Sequence, residues 1–316
     1  MAAMNAQRLW AVLAESVGMA VVGAQEPLRL LTAALLANGH VLVEDVPGVG
    51  KTLLAKSFAR SLGLSFARVQ GTPDLLPSDV TGSSILDAGK FRFVPGPVFN
   101  NVLLFDEINR ATPRTQSALL ESMQERQVSV DGVTHPLPAP FVVLATQNPI
   151  ELEGTFALPE AQLDRFLVRV DLGYLSEPDE RQMLRRLREG DNMVTKISPA
   201  VQASDLASVA ETVRSVLVAD EVEGYLLSII RATREHADVR LGASPRAAVA
   251  LYRTSQAWAA LDGRNYVLPD DVRHLVRPVL AHRLVLDLDR ELRGATRSAV
   301  LDEVLARTPV PIVEPA

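Results

Sequence analysis

The sequence contains no cysteine, which excludes disulfide bonds, thiolate zinc sites and cysteine nucleophiles. It also lacks the uninterrupted run of about 18 apolar residues that a membrane-spanning helix requires. The segment from Met1 to Ala20 carries Arg8 and Glu15 at amphipathic spacing and lacks the basic flank and apolar core of a secretory signal. We therefore expect a cytoplasmic protein without a transmembrane segment.

An excess of basic residues is missing as well. Lys and Arg number 32 and Asp and Glu number 38, so the formal net charge at pH 7 is −6. Because nucleic-acid-binding proteins commonly present a basic surface to phosphates, this balance argues against a nucleic-acid partner. What is present is a globular composition, with 47% hydrophobic and 22% charged residues over a length of 316, enough for about two domains.

The first part of the chain has the alternating pattern of an α/β domain. Apolar residues repeat at helical spacing over Gln7 to Val17 and Leu28 to Leu36, and short apolar strands then alternate with helical patterns. The alternation predicts a parallel sheet covered by helices on both faces. Its strands and helices are Val41 to Val43, Thr52 to Leu62, Phe66 to Val69, Val102 to Phe105, Gln116 to Glu125, Phe141 to Ala145 and Phe166 to Val170.

Two segments interrupt this alternation and are predicted to form inserted β-hairpins. Ser83 to Phe99 is expected to turn at Ala88-Gly89, and Gln127 to Pro136 at Asp131-Gly132. Both hairpins therefore belong to the α/β domain.

After Glu177 the strand signals vanish and only helical patterns remain. The predicted helices are Pro178 to Arg188, Glu221 to His236, Ser244 to Leu261, Asp270 to Leu284 and Thr296 to Ala306. We place a domain boundary near Gly190, which gives an α/β domain over residues 1–190 and a helical domain over residues 191–316.

A glycine-rich turn, Glu44 to Thr52, follows the first predicted strand and opens a helix. Such a loop binds phosphate because glycines let backbone N–H groups face phosphate oxygens, a lysine reaches the β and γ phosphates, and a hydroxyl ligates Mg²⁺. The predicted phosphate-binding residues are Pro47, Gly48, Val49, Gly50, Lys51 and Thr52, with Thr52 also a metal ligand. The pattern G-x-x-x-x-G-K-T departs at its first glycine, which is Asp45 here, and an ordinary strand-to-helix turn is the alternative interpretation.

Two carboxylates, Asp106 and Glu107, end the apolar strand Val102 to Phe105 and so lie at the sheet edge where ligands of α/β proteins bind. We expect Asp106 to hold Mg²⁺ through its water shell. Glu107 is expected to orient and polarise an attacking water, because phosphoryl transfer to water depends mainly on in-line positioning. The alternative is a pair of solvated acids.

Three further residues could serve the same reaction. The amide of Asn148, after the strand Phe141 to Ala145, could hold the attacking water, although polar residues there are commonly turn formers. Arg165 could reach a neighbouring subunit's nucleotide or form a surface ion pair. Arg246 follows Ser244-Pro245 in a first helical turn, where a cation opposes the helix dipole unless it faces a phosphate; a solvated arginine is the alternative.

Several longer strings have the order and spacing of family signatures over roughly residues 20 to 310. They are Thr72 to Gly82 (TPDLLPSDVTG), Asp106 to Ala111 (DEINRA), Ala145 to Pro149 (ATQNP), Leu158 to Phe166 (LPEAQLDRF) and Gly242 to Ala247 (GASPRA). With the glycine-rich loop, they make the chain resemble the AAA+ ATPases and, within them, the MoxR family. The resemblance implies a P-loop core with sheet order 5-1-4-3-2, a helical lid, and a ring, typically a hexamer, with one ATP at each interface.

The resemblance also implies roles for individual residues, with ATP and Mg²⁺ as cofactors. Asn148 resembles sensor 1, Arg165 an arginine finger that acts across a subunit interface, and Arg246 sensor 2. Val22-Gly23 is similar to the family's adenine-contacting segment.

The two hairpins resemble the helix-2 insert and the presensor-1 hairpin, which in related motors face the pore or substrate. Phe91 and Phe93 alternate on one face of the first hairpin, either for substrate contact or for packing at its base. Asp45 replaces the family's usual glycine and would weaken ATP binding by repulsion if it pointed inward. Gly71 stands where the family often has a larger residue.

The resemblance therefore implies an ATP-hydrolysing, chaperone-like motor that remodels or matures protein partners, usually with a von Willebrand factor A domain protein. A chelatase-type motor subunit shares the hairpins and the acidic edge. A nucleotide-gated scaffold with little turnover is a third hypothesis, against which Glu107, Asn148 and Arg165 argue, since a pure binder needs no water-positioning group and no arginine from a neighbour. The acidic balance disfavours a DNA-remodelling motor, and a P-loop kinase would need an acceptor pocket and an arginine-rich closing lid.

Overall fold

The structure, a computed structural model, describes residues 4–87, 89–148, 154–188 and 193–312. Its helices are α1 (Ala6–Ala20), α2 (Gln25–Leu36), α3 (Lys51–Ser61), α4 (Pro77–Thr81), α5 (Pro113–Glu125), α6 (Glu160–Leu163), α7 (Glu177–Arg188), α8 (Met193–Lys196), α9 (Ala203–Arg214), α10 (Asp220–Glu235), α11 (Pro245–Leu261), α12 (Pro269–Leu280), α13 (Leu288–Leu292) and α14 (Arg297–Arg307). Its strands are β1 (Val41–Glu44), β2 (Phe66–Gln70), β3 (Gly82–Asp87), β4 (Lys90–Pro95), β5 (Val102–Asp106), β6 (Gln127–Val130), β7 (Val133–Pro136), β8 (Val142–Gln147), β9 (Val168–Val170), β10 (Val239–Leu241) and β11 (Val285–Leu286). None of the helices formed by these residues is long and apolar enough to cross a membrane.

A parallel sheet with the strand order β2-β5-β8-β1-β9 forms the centre of the molecule. Counted along the chain as strands 1 to 5, this is the order 5-1-4-3-2, so the predicted fold class is confirmed. The strand β5 is buried on both faces, as the unbroken apolar run in its sequence indicates. The carboxyl ends of β1, β5 and β8 therefore meet at one edge of the sheet.

Alternate residues of the strands enter two separate hydrophobic cores, because successive side chains point to opposite faces of a sheet. Leu103 and Phe105 of β5 pack in one core with Phe166, on the side of α5. Leu104 packs in the other core, which α1, α2 and α3 share with the C-terminal helices. The helix α11 packs directly on α1 and α2, so the C-terminal helices are attached to the α/β domain through its own N-terminal helices.

Both predicted hairpins are present, β3 with β4 and β6 with β7. The ring of Phe93 stacks on His135, with 4.0 Å between ring centroids, and so joins the two hairpins. Phe91 is 79% exposed and lies opposite Leu86 in the register. Of the two phenylalanines, Phe93 thus packs at the base, whereas Phe91 is presented to solvent. The predicted turn residue Ala88 lies outside the described residues.

The C-terminal part is helical as expected, with one difference. A short antiparallel pair, β10 with β11, joins the end of α10 to the segment after α12, and the sequence pattern does not predict it. Strands of three and two residues are too short to establish an alternating pattern. The helices α8, α9 and α13 were also not predicted, and α12 ends at Leu280 rather than Leu284. The boundary proposed near Gly190 lies outside the described residues and stays a prediction.

Candidate active site

The glycine-rich loop connects β1 to α3 at the carboxyl edge of the sheet. Gly48 and Gly50 have φ angles of 86° and 94°, in the region that favours glycine, and the space that a Cβ would enter is open at both. Gly50 also forms the N-cap of α3, so the free N–H groups of the first helical turn and the positive end of the helix dipole face the open space beside the loop. The Lys51 ammonium donates to the carbonyl oxygens of Asp45 and Val46, at 3.0 and 3.2 Å, and thus folds back over the loop.

A cavity of about 440 Å³ lies beside this loop, and we call it the phosphate cavity. The residues that line it come from the loop and from the ends of β2, β5 and β8: Pro47, Gly48, Gly50, Lys51, Thr52, Leu53, Arg68, Gln70, Asp106, Glu107, Thr146 and Asn148. The tertiary structure therefore brings together the lysine, the hydroxyl, the two carboxylates and the amide that the sequence analysis predicted for one site. Arg68, Gln70 and Thr146 are additions that the sequence analysis missed.

Both oxygens of the buried Asp106 carboxylate are engaged. The Thr146 hydroxyl donates to Oδ1 at 2.8 Å. Arg68 donates to Oδ2 through Nη2 at 2.7 Å and through Nε at 3.0 Å. The signal for Arg68 was weak, because a single arginine on a strand gives no indication of the carboxylate that it meets on the neighbouring strand.

Glu107 has a left-handed backbone, with φ 57° and ψ 54°, which is uncommon for a residue with a side chain. Its N–H donates to the Thr146 hydroxyl at 2.8 Å, and Gln70 Nε2 donates to its Oε2 at 2.8 Å. The backbone is also closely approached by Gly71, where a Cβ would lie 2.2 Å from the Glu107 carbonyl oxygen. Such a conformation persists only where several contacts hold it, and it occurs often at functional sites.

Asp45, which replaces the usual first glycine of the loop, does not add a free carboxylate beside the phosphates. It is 7% exposed, and its Oδ2 accepts the N–H groups of Leu172 and Gly173 at 2.6 and 3.0 Å. Its Oδ1 accepts the N–H of Val46 at 2.8 Å. The side chain therefore joins the loop to the segment that follows β9.

A second, mainly apolar cavity of about 530 Å³ adjoins the phosphate cavity, with which it shares Pro47, Gly48, Gly50 and Leu53. Its other walls are formed by Ala20, Val21, Val22, Val49, Gly173, Tyr174, Leu175, Glu180, Met183, Arg186, Leu187 and Val194. Val22 thus lines this cavity, whereas Gly23, with φ 72°, is not among the described residues that line it and lies close to Leu175 and Asp179. An apolar cleft that continues into a phosphate-binding loop suits a nucleobase.

Arg165 and Arg246 lie together in a third cavity, of about 240 Å³, which shares none of its described lining residues with the phosphate cavity. Arg126, Arg253 and Arg283 line the same cavity, which we call the arginine cavity. The Arg165 Nε is buried, and no described residue accepts a hydrogen bond from it. A buried donor that has no acceptor in the described part of the chain thus lies among several cations.

Asp164 connects the arginine cavity to the C-terminal helices. It accepts a hydrogen bond from Arg283 Nε at 2.8 Å and one from the Ser244 hydroxyl at 3.0 Å. Ser244 in turn caps α11 by accepting the N–H of Ala247 at 3.1 Å, as its sequence context predicts. Burial lowers the pKa of Arg283 to about 10, against the opposing effect of the Asp164 charge. The guanidinium therefore stays charged at neutral pH.

The donor set around the phosphate cavity fits Mg²⁺ bound together with a nucleotide. Among the residues that the structure describes, there is no group of three or more His, Asp or Glu side chains that could hold a metal alone. Mg²⁺ commonly takes one or two protein oxygens and completes its shell with phosphates and water. The Thr52 hydroxyl and the Asp106 carboxylate, which line one cavity beside the loop, are such a pair.

Comparison with known proteins agrees with this geometry. Residues 40–168 match the family model described as "ATPase family associated with various cellular activities (AAA)", and residues 231–304 match the model of the AAA lid domain. The fold and the site thus define an ATPase of the AAA class. Similarity to individual proteins extends over nearly the whole chain and points to a narrower family within this class.

The chain is 45% identical to the uncharacterized protein YeaC of Bacillus subtilis, over 94% of this chain and 93% of that protein. It is 41% identical to the chaperone MoxR1 of Mycobacterium tuberculosis, over 93% of this chain and 80% of that protein. A crystal structure of a Cytophaga hutchinsonii protein superposes with a TM-score of 0.91 at 36% identity, over 97% of this chain and 96% of that one. The chain belongs to the MoxR family of AAA+ ATPases.

Proposed function

We propose that this protein hydrolyses ATP at sites shared between two copies of the chain. The observation that carries the proposal is the division of the predicted site residues between two cavities. Lys51, Asp106 and Glu107 line the phosphate cavity, whereas Arg165 and Arg246 line the arginine cavity. A nucleotide in the phosphate cavity would therefore receive Arg165 and Arg246 from a neighbouring copy.

Within one copy, the glycine-rich loop and Lys51 bind the β and γ phosphates, and the apolar cavity that Val22 lines, next to Gly23 in sequence, receives the adenine. Thr52 and Asp106 would hold Mg²⁺, which when bound would neutralise charge on the phosphate oxygens. Glu107 orients and polarises the attacking water, and the Asn148 amide fixes its position. Phosphoryl transfer needs this positioning more than it needs covalent help from the protein.

From the neighbouring copy, Arg165 stabilises the charge that develops on the transferred phosphoryl group. The buried Arg165 Nε has no acceptor among the described residues, which supports this role. Arg246, in the first turn of α11, lines the same cavity. Asp164, which precedes Arg165, accepts a hydrogen bond from Ser244, which lies two residues before Arg246. A closed ring, with a hexamer as the family's usual size, would give every site such a neighbour.

The work that hydrolysis drives is proposed to be chaperone-like remodelling or maturation of a protein partner. The relative from Mycobacterium tuberculosis is named a chaperone. The exposed Phe91, opposite the exposed Leu86 on the first hairpin, offers an apolar surface to a polypeptide. A von Willebrand factor A domain protein is the partner that the family resemblance implies.

The test is steady-state ATP hydrolysis measured against protein concentration, with light scattering on the same samples. We expect specific activity to rise as the protein assembles, and Glu107→Gln to assemble and bind ATP while losing turnover. Glu121→Gln, which changes an exposed glutamate on α5, is the matched control and should keep the wild-type rate. Flat, negligible activity in both wild type and Glu107→Gln would instead favour a nucleotide-gated scaffold.

A further inference from the structure

The contact between Arg68 and Asp106 is not explained by ATP hydrolysis itself. Arg68 lies on β2, paired in register with Leu104 of β5, and its side chain crosses to the carboxylate at the end of that strand. The Arg68 side chain is 49% exposed, whereas that of Asp106 is 11% exposed. The partly exposed guanidinium of Arg68 thus forms an ion pair with the largely buried carboxylate of Asp106 at the edge of the phosphate cavity.

Arg68 occupies the oxygen of Asp106 that a metal would need. Oδ1 is held inside the site by Thr146, which also accepts the N–H of Glu107. Oδ2 receives both guanidinium N–H groups of Arg68, and two donors satisfy the two lone pairs of one oxygen. Because a buried carboxylate without a counter-charge is costly, a cation is expected at this position whenever no metal is present.

The same arginine is connected to Glu107 through one intermediate residue. Arg68 Nη2 donates to Gln70 Oε1 at 3.1 Å, and Gln70 Nε2 donates to Glu107 Oε2 at 2.8 Å. A continuous set of hydrogen bonds therefore runs from Asp106 through Arg68 and Gln70 to Glu107.

We propose that Arg68 is a positioning residue that takes the place of the divalent cation at Asp106, and that Mg²⁺ bound with nucleotide displaces it. The inference rests on the proposed function, since it assumes that Mg²⁺ and nucleotide bind in the phosphate cavity. It adds that the chain carries a built-in competitor for the metal at Asp106.

The experiment measures binding of a fluorescent ADP analogue to the full chain, in EDTA and over a series of Mg²⁺ concentrations. With the competitor removed, Arg68→Ala should lower the Mg²⁺ concentration for half-maximal enhancement of binding by about fivefold, the effect of a partly exposed ion pair. Binding in EDTA should stay within about twofold of wild type. Arg92→Ala, which removes an exposed arginine paired with Asp87 on the first hairpin, should leave both measurements unchanged.

A second measurement separates displacement of Arg68 from a general structural effect. In an Asp106→Asn background, Arg68→Ala should no longer move the Mg²⁺ midpoint, because the two residues act on the same step. Arg68→Lys, which keeps the charge but loses the paired N–H groups, should give an intermediate midpoint and serves as the test should Arg68→Ala not fold.

The outcomes distinguish this inference from the proposed function. An unmoved midpoint in Arg68→Ala overturns the displacement of Arg68 by metal. Weaker binding of Arg68→Ala in both EDTA and Mg²⁺ would overturn it as well and would make Arg68 a phosphate-binding residue. If the wild type itself binds no nucleotide, the proposed function fails, and the inference falls with it.

Discussion

At the scale of single residues, Asp45 illustrates how a departure from a motif acquires a structural role. A carboxylate in place of the first glycine suggested repulsion of ATP if it pointed inward. Its two oxygens instead accept backbone N–H groups of Val46, Leu172 and Gly173. The phosphate-binding loop is thereby held to Gly173, which also lines the apolar cavity.

Asp45→Ala is therefore expected to weaken nucleotide binding, by about tenfold, because three partly buried N–H groups lose their acceptor and the loop loses its anchor. Titration calorimetry with ADP and Mg²⁺ measures the change. Asp87→Ala, which removes an exposed carboxylate from the first hairpin, is the control and should bind as the wild type does. Tighter binding of Asp45→Ala would show that repulsion dominates after all.

Residues of the site that are close in sequence could be predicted, and those that meet across strands could not. The loop from Pro47 to Thr52 and the pair Asp106-Glu107 are stretches of consecutive residues whose chemistry is visible in the pattern. The contacts of Arg68 and Thr146 with Asp106 join residues on different strands. They depend on strand register and order, which a local pattern does not contain.

At the scale of secondary-structure elements, two buried histidines connect neighbouring segments. His40, at the start of β1, accepts the N–H of Val143 through Nδ1 at 3.0 Å, and its Nε2 lies 3.1 Å from the carbonyl oxygen of Met123. The Nε2 of His282 lies 3.1 Å from the carbonyl oxygen of Phe166. Burial lowers the pKa of His40 to about 3, with a further contribution from Arg126. Burial and the Arg283 charge likewise lower the pKa of His282.

Mild acid should therefore destabilise the fold. As pH falls below about 6.5, the unfolded chain takes up protons that the folded chain does not, so the free energy of unfolding falls by up to about 1.4 kcal/mol per pH unit for each histidine. Urea unfolding between pH 7.5 and about 5, above the range where carboxylates titrate, measures this slope. It should flatten in His282→Gln and stay unchanged in His135→Gln, which alters the histidine stacked on Phe93. Equal slopes in all three proteins would contradict the assignment.

Prediction at the element scale succeeded where patterns were long. The hairpin from Gln127 to Pro136 and the sheet strands lie where alternation and turn residues place them. The helix α9 was not predicted, and neither were β10 and β11, which are very short strands. Packing on the C-terminal core stabilises these segments, and packing is not visible in a local window.

At the scale of the whole molecule, the predicted site residues line two cavities, which the proposed function assigns to two neighbouring copies of the chain. The C-terminal helices pack on α1 and α2, and this attachment places α11 and Arg246 beside Arg165. The phosphate cavity, with Lys51 and Glu107, is formed at the carboxyl edge of the sheet. Turnover is therefore expected to depend on how copies are arranged around each other.

Arg165→Ala should lower ATP turnover by up to about 10³ to 10⁵ and spare nucleotide binding, as for arginines supplied in trans to other nucleotide hydrolases. Mixed with Glu107→Gln, it should regain part of the activity, since some interfaces then combine an intact Glu107 with an intact Arg165. The control mixes Arg165→Ala with the double variant Arg165→Ala/Glu107→Gln, which forms no complete interface. Absence of recovery at every mixing ratio would count against action between copies.

By itself, the sequence determined the parts of this protein that local patterns encode. The glycine-rich loop, the strand that ends in Asp106-Glu107 and the capped start of α11 at Ser244 are runs of adjacent residues, and together with longer strings they indicated the family and its sheet order. Only the tertiary structure decided that Arg246 lies with Arg165 and apart from the phosphate cavity. It also decided where the Asp45 and Arg68 side chains are directed, because those contacts arise when strand order and helix packing bring distant segments together.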